Sequence, residues 1–307
     1  MYRVSFIIVN FFTASFVLKL IKSIETFITT CEYEILIFDN SNDGRERSIL
    51  DSIQHAHLKV FDSGENIGYV RANNYLALQA QHDVLVLLNP DTLLVDSSME
   101  RLFAHISAAG DIGAMGPMLL NEDNSYQISF FRFPSLHTVV LEHIFFQEGA
   151  YAYRTPIETS QDCDVVKGAC LVVKRSALAG DSVFDNEFEM YSEEVDLCKR
   201  LKNAGLRTVY YPDARVIHYG ERSSRQRQFT RYSVFHYYKS KLLYFRKHHS
   251  WILYSLIRCI LFVSLLEKSI ILLLAGRRFS SAIHAHVLKR LYLTLPSRGP
   301  AQGRKQE

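Results

Sequence analysis

Five short apolar runs punctuate the first 115 residues: Val4–Val9, Glu34–Phe38, Leu58–Phe61, Val84–Leu88 and Ile112–Met115. Segments of helical period lie between them at Ser15–Thr29, Arg45–Ile53, Tyr69–Ala80 and Ser97–Ala108. In the first of these, Phe16, Leu20, Ile24 and Phe27 recur at three- and four-residue steps, which gives a helix with one apolar face. Such alternation dictates an α/β fold with a mostly parallel sheet covered by helices. Right-handed crossovers then gather the strand ends along one edge, where ligands bind in folds of this kind. The run Val84–Leu88 stops at Asn89-Pro90-Asp91, so Asp91 is a first candidate for touching a metal. The same three residues also suit an ordinary turn.

Charge divides the chain. Residues 1–221 hold 18 Lys/Arg against 30 Asp/Glu, a balance of −12, whereas residues 222–307 hold 17 against 2, a balance of +15. A reversal of this size points to an anionic partner for the C-terminal part. The five cysteines show no CxxC pair and no metal-finger spacing, which suits a reducing compartment. No secretory leader is read ahead of the first apolar run.

Beyond Gly116 the pattern loosens. Strands are expected at Ser125–Phe131 and Asp164–Lys174, with the aromatic-rich Thr138–Thr159 unassigned. A helix is expected from Ser192, as N-cap, to Ala204, with Gly205 past its end. Short strands Arg207–Tyr211 and Arg215–Ile217 should flank a Pro212-Asp213 turn. From Phe229 onward the chain reads as helical. Trp251–Ala275 is long and apolar but carries Arg258, Glu267 and Lys268, which favours a helix lying in a membrane interface over a spanning or an ordinary packed one. These readings give an α/β domain over 1–228, a helical membrane-associating region over 229–295 and a disordered tail over 296–307.

Four further clusters carry chemistry. Asp39 ends the second apolar run ahead of Asn40-Ser41-Asn42-Asp43-Gly44, where a carboxylate can accept from a base or a ribose hydroxyl, or where a plain capped turn stands. Gly68 permits a close turn after Asn66, and Asn73 and Asn74 place amides in a helical segment that Asn does not favour. Glu193 and Glu194 fall in a first helical turn, where a carboxylate can remove a proton from a bound hydroxyl, and where acids are also common for dipole reasons alone. Val216-Ile217-His218 ends an apolar strand in a candidate metal ligand; Arg222, Arg225 and Arg227 follow, suited to phosphates or to solvent.

The order of these clusters resembles the GT-A glycosyltransferases of family 2, in particular their rhamnosyltransferase-like branch. The resemblance rests on Ser5–Asn10, Asp39–Gly44, Asn66-Ile67-Gly68 with Asn73-Asn74, Leu88–Thr92, Lys167-Gly168-Ala169, Phe184-Asp185, Met190–Cys198, Ala204-Gly205 and Pro212 to His218, over about residues 3–250. It implies a Rossmann-like nucleotide-diphospho-sugar transferase sheet with helices on both faces, extended by a basic, apolar helical region. The implied activity is inverting transfer of a sugar from a nucleotide donor, with a lean to dTDP-rhamnose, onto a glycan or polyprenyl-diphosphate-linked acceptor in surface polysaccharide synthesis. The resemblance implies that Asn10, Asp39, Asn66, Gly68, Asn74, Asn89 and Gly168 hold the nucleotide sugar. Asp91 and His218 would hold Mg2+ or Mn2+, and Glu194, beside Glu193, would be the base. The family usually has Glu-Asp where this chain has Glu193-Glu194, so the carboxylate is displaced by roughly one carbon–carbon bond, about 1.5 Å. Family members commonly work at the cytoplasmic face of the inner membrane. The basic C-terminal region, with Arg246-Lys247-His248-His249 ahead of Trp251, would then meet anionic lipid rather than nucleic acid. Two other readings remain at this level: a degenerate nucleotide-sugar-binding module of an assembly complex, and a sugar-phosphate nucleotidyltransferase, whose glycine-rich loop is missing from Asn10-Phe11-Phe12-Thr13.

Overall fold

The structure is a computed structural model that describes residues 2–147, 149–180, 182–220 and 227–293. The chain runs β1 (Arg3–Asn10), α1 (Ala14–Phe27), β2 (Glu32–Asp39), α2 (Gly44–Asp51), β3 (Leu58–Asp62), α3 (Tyr69–Gln79), β4 (Val84–Leu88), β5 (Thr92–Leu94), α4 (Ser98–Ala108) and β6 (Ile112–Leu120). It continues with β7 (Tyr126–Gln127), β8 (Phe130–Phe131), α5 (Leu136–His143), β9 (Gln161–Cys163), β10 (Val165–Val166), β11 (Cys170–Lys174), α6 (Glu193–Asn203) and β12 (Arg207–His218). Three helices follow: α7 (Arg227–His248), α8 (Trp251–Leu274) and α9 (Arg278–Leu293).

Two compact units form. The first takes the described residues up to Phe133, then Ala152–Glu189 and Glu193 through β12; the second takes Pro134–Tyr151, Met190–Ser192 and the three C-terminal helices. The sequence reading drew one boundary near 228. Within that reading nothing marked 134–151 as part of the helical unit. The tail at 296–307 lies outside the described residues.

In the first unit the sheet runs β3-β2-β1-β4-β11-β6-β12-β5. β1 pairs in parallel with both β2 and β4, so the chain reverses its direction of winding at β1. That reversal opens a crevice outside the strands' carboxyl ends. Val4, Phe6 and Ile8 of β1 face a core shared with Val17, Leu20 and Ile24 of α1 and Leu102, Phe103 and Ile106 of α4. α3 buries Val70, Leu76 and Ala77 outside that cluster, so helices cover both faces.

The second half departs from the expected elements, each time for a local reason. β11 is antiparallel to both β4 and β6, which interrupts the parallel order. The strand expected at Asp164–Lys174 breaks at Lys167-Gly168-Ala169, and β10 leaves the main sheet to pair with β8. Gly116 permits this crossing, because a Cβ there would stand 2.7 Å from Cβ of Val166. Ser125–Phe131 also splits: the Ser129 hydroxyl accepts from Leu119 N (2.8 Å) and donates to Gln127 O (2.7 Å), bending the chain between β7 and β8. The turn expected at Pro212-Asp213 is a bulge within one continuous strand. Pro212 and Pro117 both lack an N–H where the register shifts, and pairing resumes at Arg215, whose N–H is held by Ser98 Oγ at 3.1 Å. Part of the unassigned aromatic stretch is α5, which opens with a capping box between Ser135 and Thr138.

In the second unit an ionic knot ties α5 to α7. Lys241, almost wholly buried, donates to Glu142 Oε2 (2.7 Å), to Tyr237 OH (2.7 Å) and toward His143 Nε2 (3.0 Å). Burial, then the charges of Lys241 and Lys268, hold the His143 imidazole far below its ordinary pKa, so it is neutral and accepts from Lys241. Removing one member of a buried pair costs about 3–5 kcal/mol, so this knot fixes the seating of α5 on α7. α8 turns Tyr254, Ile257, Leu261 and Leu265 inward and leaves Ile252, Leu256, Val263, Leu266, Ile270 and Leu273 exposed along one side. Among the described residues, no helix is long and apolar enough to cross a membrane.

Candidate active site

The crevice at the switch point is built from the ends of β1, β2 and β4. Asn10 stands opposite Asp39 in the β1–β2 ladder. Its side-chain N–H2 donates to Asp39 Oδ1 (3.0 Å), Ser41 Oγ (3.1 Å) and Glu46 Oε2 (3.3 Å), while its Oδ1 accepts from Thr13. Asn10 is therefore a hub that holds the Asp39 turn in shape rather than an open ligand group. Asp39 Oδ1 also accepts from Ser41 N, which leaves the carboxylate's other oxygen for a ligand. Asp39 lines a cavity with Asn42, Asp43, Gly44, Arg47, Asp62 and Gly64. Arg47 is pinned there by Asp51 and Asp62.

The Asn66–Gly68 loop is tied to this turn. Asn40 Oδ1 accepts from Ile67 N at 3.1 Å, and Asn66 Oδ1 accepts from Gly68 N at 2.9 Å. Gly68 has φ +87 at the start of α3, a conformation that L side chains rarely adopt. Asn73 bonds back to Tyr69 O within α3. Asn74 is fully committed inside the protein: it accepts from Phe184 N and donates to Phe184 O and Asn186 Oδ1. It fastens the 184–186 segment.

Asp91 and His218 meet because β5, starting one residue past Asp91, pairs antiparallel with the end of β12, Thr92 against His218. Tyr219 N donates to Asp91 O (2.9 Å) and completes the junction. His218 Nε2 lies 3.4 Å from Asp91 Oδ1 and 3.5 Å from Asn89 Nδ2. Asn89 in turn faces the Tyr69 hydroxyl at 3.5 Å, and its N–H donates to Ala169 O at 2.9 Å. A carboxylate and an imidazole this close, both nearly buried, suit a divalent cation that keeps most of its coordination for phosphate oxygens and water. Among the described residues there is no group of three or more His, Cys, Asp or Glu that could form a closed protein cage.

Glu193 and Glu194 open α6, after Tyr191 and Ser192 with φ of 66 and 62. That left-handed entry replaces the extended backbone usual for an N-cap at Ser192. One buried oxygen of each glutamate, Oε2, has no hydrogen-bond partner. A Cβ on Gly168 would stand 3.8 Å from Glu194 Cβ, so the break between β10 and β11 brings the Gly168 backbone against this carboxylate. Burial pushes both glutamates above the ordinary carboxylate range, and the neighbouring Glu194 charge pushes Glu193 further; the Lys167 ammonium opposes this at Glu194. The helix N-terminus supplies only about 0.3–1 kcal/mol toward ionisation, against several kcal/mol for burying an ion, so burial wins. The Tyr69 hydroxyl is held well above its usual pKa by burial and by Glu193, Glu194 and Asp91, which places the carboxylate pair and the Asp91 corner in one electrostatic neighbourhood.

Two contributors had no sequence signal. Asn40 reads as one more turn residue. Gln127 sits in an unremarkable strand, yet its amide reaches His218 and Lys167. Arg222 and Arg225, weighed as phosphate partners, lie outside the described residues.

Comparison with known proteins bears on the family and the fold. Residues 5–179 match the family described as Glycosyl transferase family 2. The chain is 29% identical over 235 residues to N-acetylglucosaminyl-diphospho-decaprenol L-rhamnosyltransferase of Mycobacterium tuberculosis, covering 70% of this chain and 75% of that one. It is 26% identical over 204 residues to Rhamnosyltransferase WbbL of Escherichia coli K12, covering 63% and 75%. Among solved structures, GalNAc-T7 with UDP, GalNAc and Mn2+ superposes with a TM-score of 0.54 at 17% identity, over 71% of this chain and 44% of that one. At that identity the likeness concerns the fold alone.

The raised glutamates link stability to pH. The native state keeps protons that the unfolded chain releases above about pH 4.3, so stability declines as pH rises from that range. Glu193→Gln is expected to raise the unfolding temperature at pH 8 by a few degrees and to have little effect at pH 4. Thermal unfolding across that range checks the sign: no gain at pH 8, or an equal gain at both ends, would contradict the assignment.

Proposed function

The chain belongs to glycosyl transferase family 2, and from that premise we propose that it is an inverting, cation-dependent transferase of a hexose, with dTDP-rhamnose as the leading donor. The observation that carries the reading is the pair of unpartnered carboxylate oxygens on Glu193 and Glu194 beside Gly168, in the electrostatic neighbourhood of Asp91. The cavity at Asp39 takes the nucleoside. Asp91 and His218 are the residues that would hold the cation, which would neutralise charge on the diphosphate. Glu194 takes the proton from the acceptor hydroxyl as that oxygen bonds to the anomeric carbon. The bond to the diphosphate oxygen breaks on the opposite face, its electron pair leaving with the nucleoside diphosphate, and the anomeric configuration inverts.

The relatives' names mention rhamnose and, in one case, a diphospho-decaprenol-linked sugar. We therefore take the acceptor to be a glycan or a polyprenyl-diphosphate-linked sugar of surface polysaccharide synthesis, reached at the cytoplasmic face of a membrane. The exposed apolar residues of α8, from Ile252 through Leu273, belong against the acyl boundary of an anionic lipid surface. The excess of 17 basic over 2 acidic residues in 222–307 supports that partner, at about 1 kcal/mol per Lys or Arg near the surface.

Two outcomes are expected. In a screen of nucleotide sugars, dTDP-rhamnose should support transfer, and Glu194→Gln should lower turnover by about 100-fold or more with donor binding unchanged. Full turnover in that variant would remove Glu194 as the base. For the membrane surface, Leu266→Glu combined with Ile270→Glu should reduce co-sedimentation with anionic vesicles while leaving transfer to a soluble acceptor intact. Undiminished co-sedimentation would remove α8 as the docking face.

A further inference from the structure

Gln127 is saturated by four groups. Its Nε2 donates to His218 O at 3.0 Å and to Asn121 Oδ1 at 2.9 Å. Its Oε1 accepts from Lys167 Nζ at 3.0 Å and lies 2.6 Å from His218 Nδ1. This pattern permits one orientation of the amide. Turning it over would set N–H2 against an ammonium and leave an oxygen facing two acceptors. With Oε1 fixed, His218 Nδ1 must carry a hydrogen and donate it. In the neutral ring the other nitrogen then presents a lone pair, 3.4 Å from Asp91 Oδ1.

We propose that Gln127 is a positioning residue: it locks His218 in the Nδ1–H tautomer, turns the Nε2 lone pair toward Asp91, and ties this corner to Lys167. This deepens the reading of Asp91 and His218 as the cation site and rests on it. Lys167 adjoins Gly168, which packs against Glu194, so one amide holds together the group expected to face the leaving group and the turn that flanks the base. β7 exists to deliver it: a two-residue strand pairs Gln127 with Leu119 at the end of β6, and the Ser129 kink follows at once. A ligating His usually gives its second N–H to a fixed acceptor, and loss of that acceptor typically costs about 10–100-fold in metal affinity.

The test uses the full-length protein with 15N-labelled histidine. Long-range 1H–15N correlation reads the tautomer of each neutral ring, and the His218→Asn spectrum assigns the His218 signals. The proposal expects Nδ1–H at His218 in the wild type, and loss of that pure tautomer in Gln127→Met, which preserves side-chain length. An Nε2–H tautomer in the wild type, or an unchanged tautomer in Gln127→Met, would overturn it. The wild-type spectrum decides even if the variant fails to fold. Mn2+ titration in the presence of dTDP or UDP separates this from the underlying reading. If wild-type binding is lost in His218→Asn and falls about 10–100-fold in Gln127→Met, both stand. Loss in His218→Asn with full binding in Gln127→Met overturns the role of Gln127 alone. Wild-type binding that ignores His218→Asn overturns the cation site and the role built on it.

Discussion

The short antiparallel ladder between β5 and the end of β12 is the contact on which the candidate site depends. It pairs Thr92 with His218 and so brings a turn after β4 against the last residue of a strand formed much later in the chain. Without it Asp91 lies in the turn after one strand and His218 ends another, with no reason to meet. The ladder is three residues long, and it holds because Leu94 and Val216 are buried in the main core. Apolar packing of these two side chains, each worth about 1.5–3 kcal/mol, thereby positions polar groups that contribute little to stability themselves.

The other half of the site works against stability. Two adjacent glutamates at the start of α6 are buried with unpartnered oxygens, and a buried unpartnered polar group costs about 1–3 kcal/mol. A fold under selection for stability alone would place amides or apolar groups there. The surrounding structure holds the helix in place through the Asp196–Arg200 ion pair and the bond from Arg200 to Val183 O. A carboxylate raised above its ordinary pKa is a stronger base once ionised, which is the property that proton removal from a sugar hydroxyl requires.

The first half of the fold was legible because its signals are local and periodic. The four helices between the first five apolar runs follow from apolar spacing, and Asp39 and Asp91 follow from apolar runs that stop at an acid. The second half was not, because its elements are set by contacts distant in sequence. The valines of Asp164–Lys174 favour a continuous strand, and only the packing of Val166 against Gly116 shows why the chain leaves one sheet for another. Pro212 reads as a turn until its bulge is seen opposite Pro117. Asn10 and Asn74 illustrate the same limit in the site: the resemblance marks Asn10 and the helical pattern marks Asn74, and their hydrogen bonds show them to be internal ties. Gln127 gives no sequence signal at all, since an amide in a two-residue strand acquires meaning only from the four groups around it.

The central claim is that strands remote in sequence converge to hold a cation against the diphosphate of a sugar donor. Anomalous diffraction at the manganese edge, from crystals grown with Mn2+ and a nucleoside diphosphate, tests it most directly. The account predicts a manganese peak bonded to Asp91 and His218, with the remaining coordination from phosphate oxygens and water. A peak bonded to neither residue, with nucleotide in the Asp39 cavity, would contradict it.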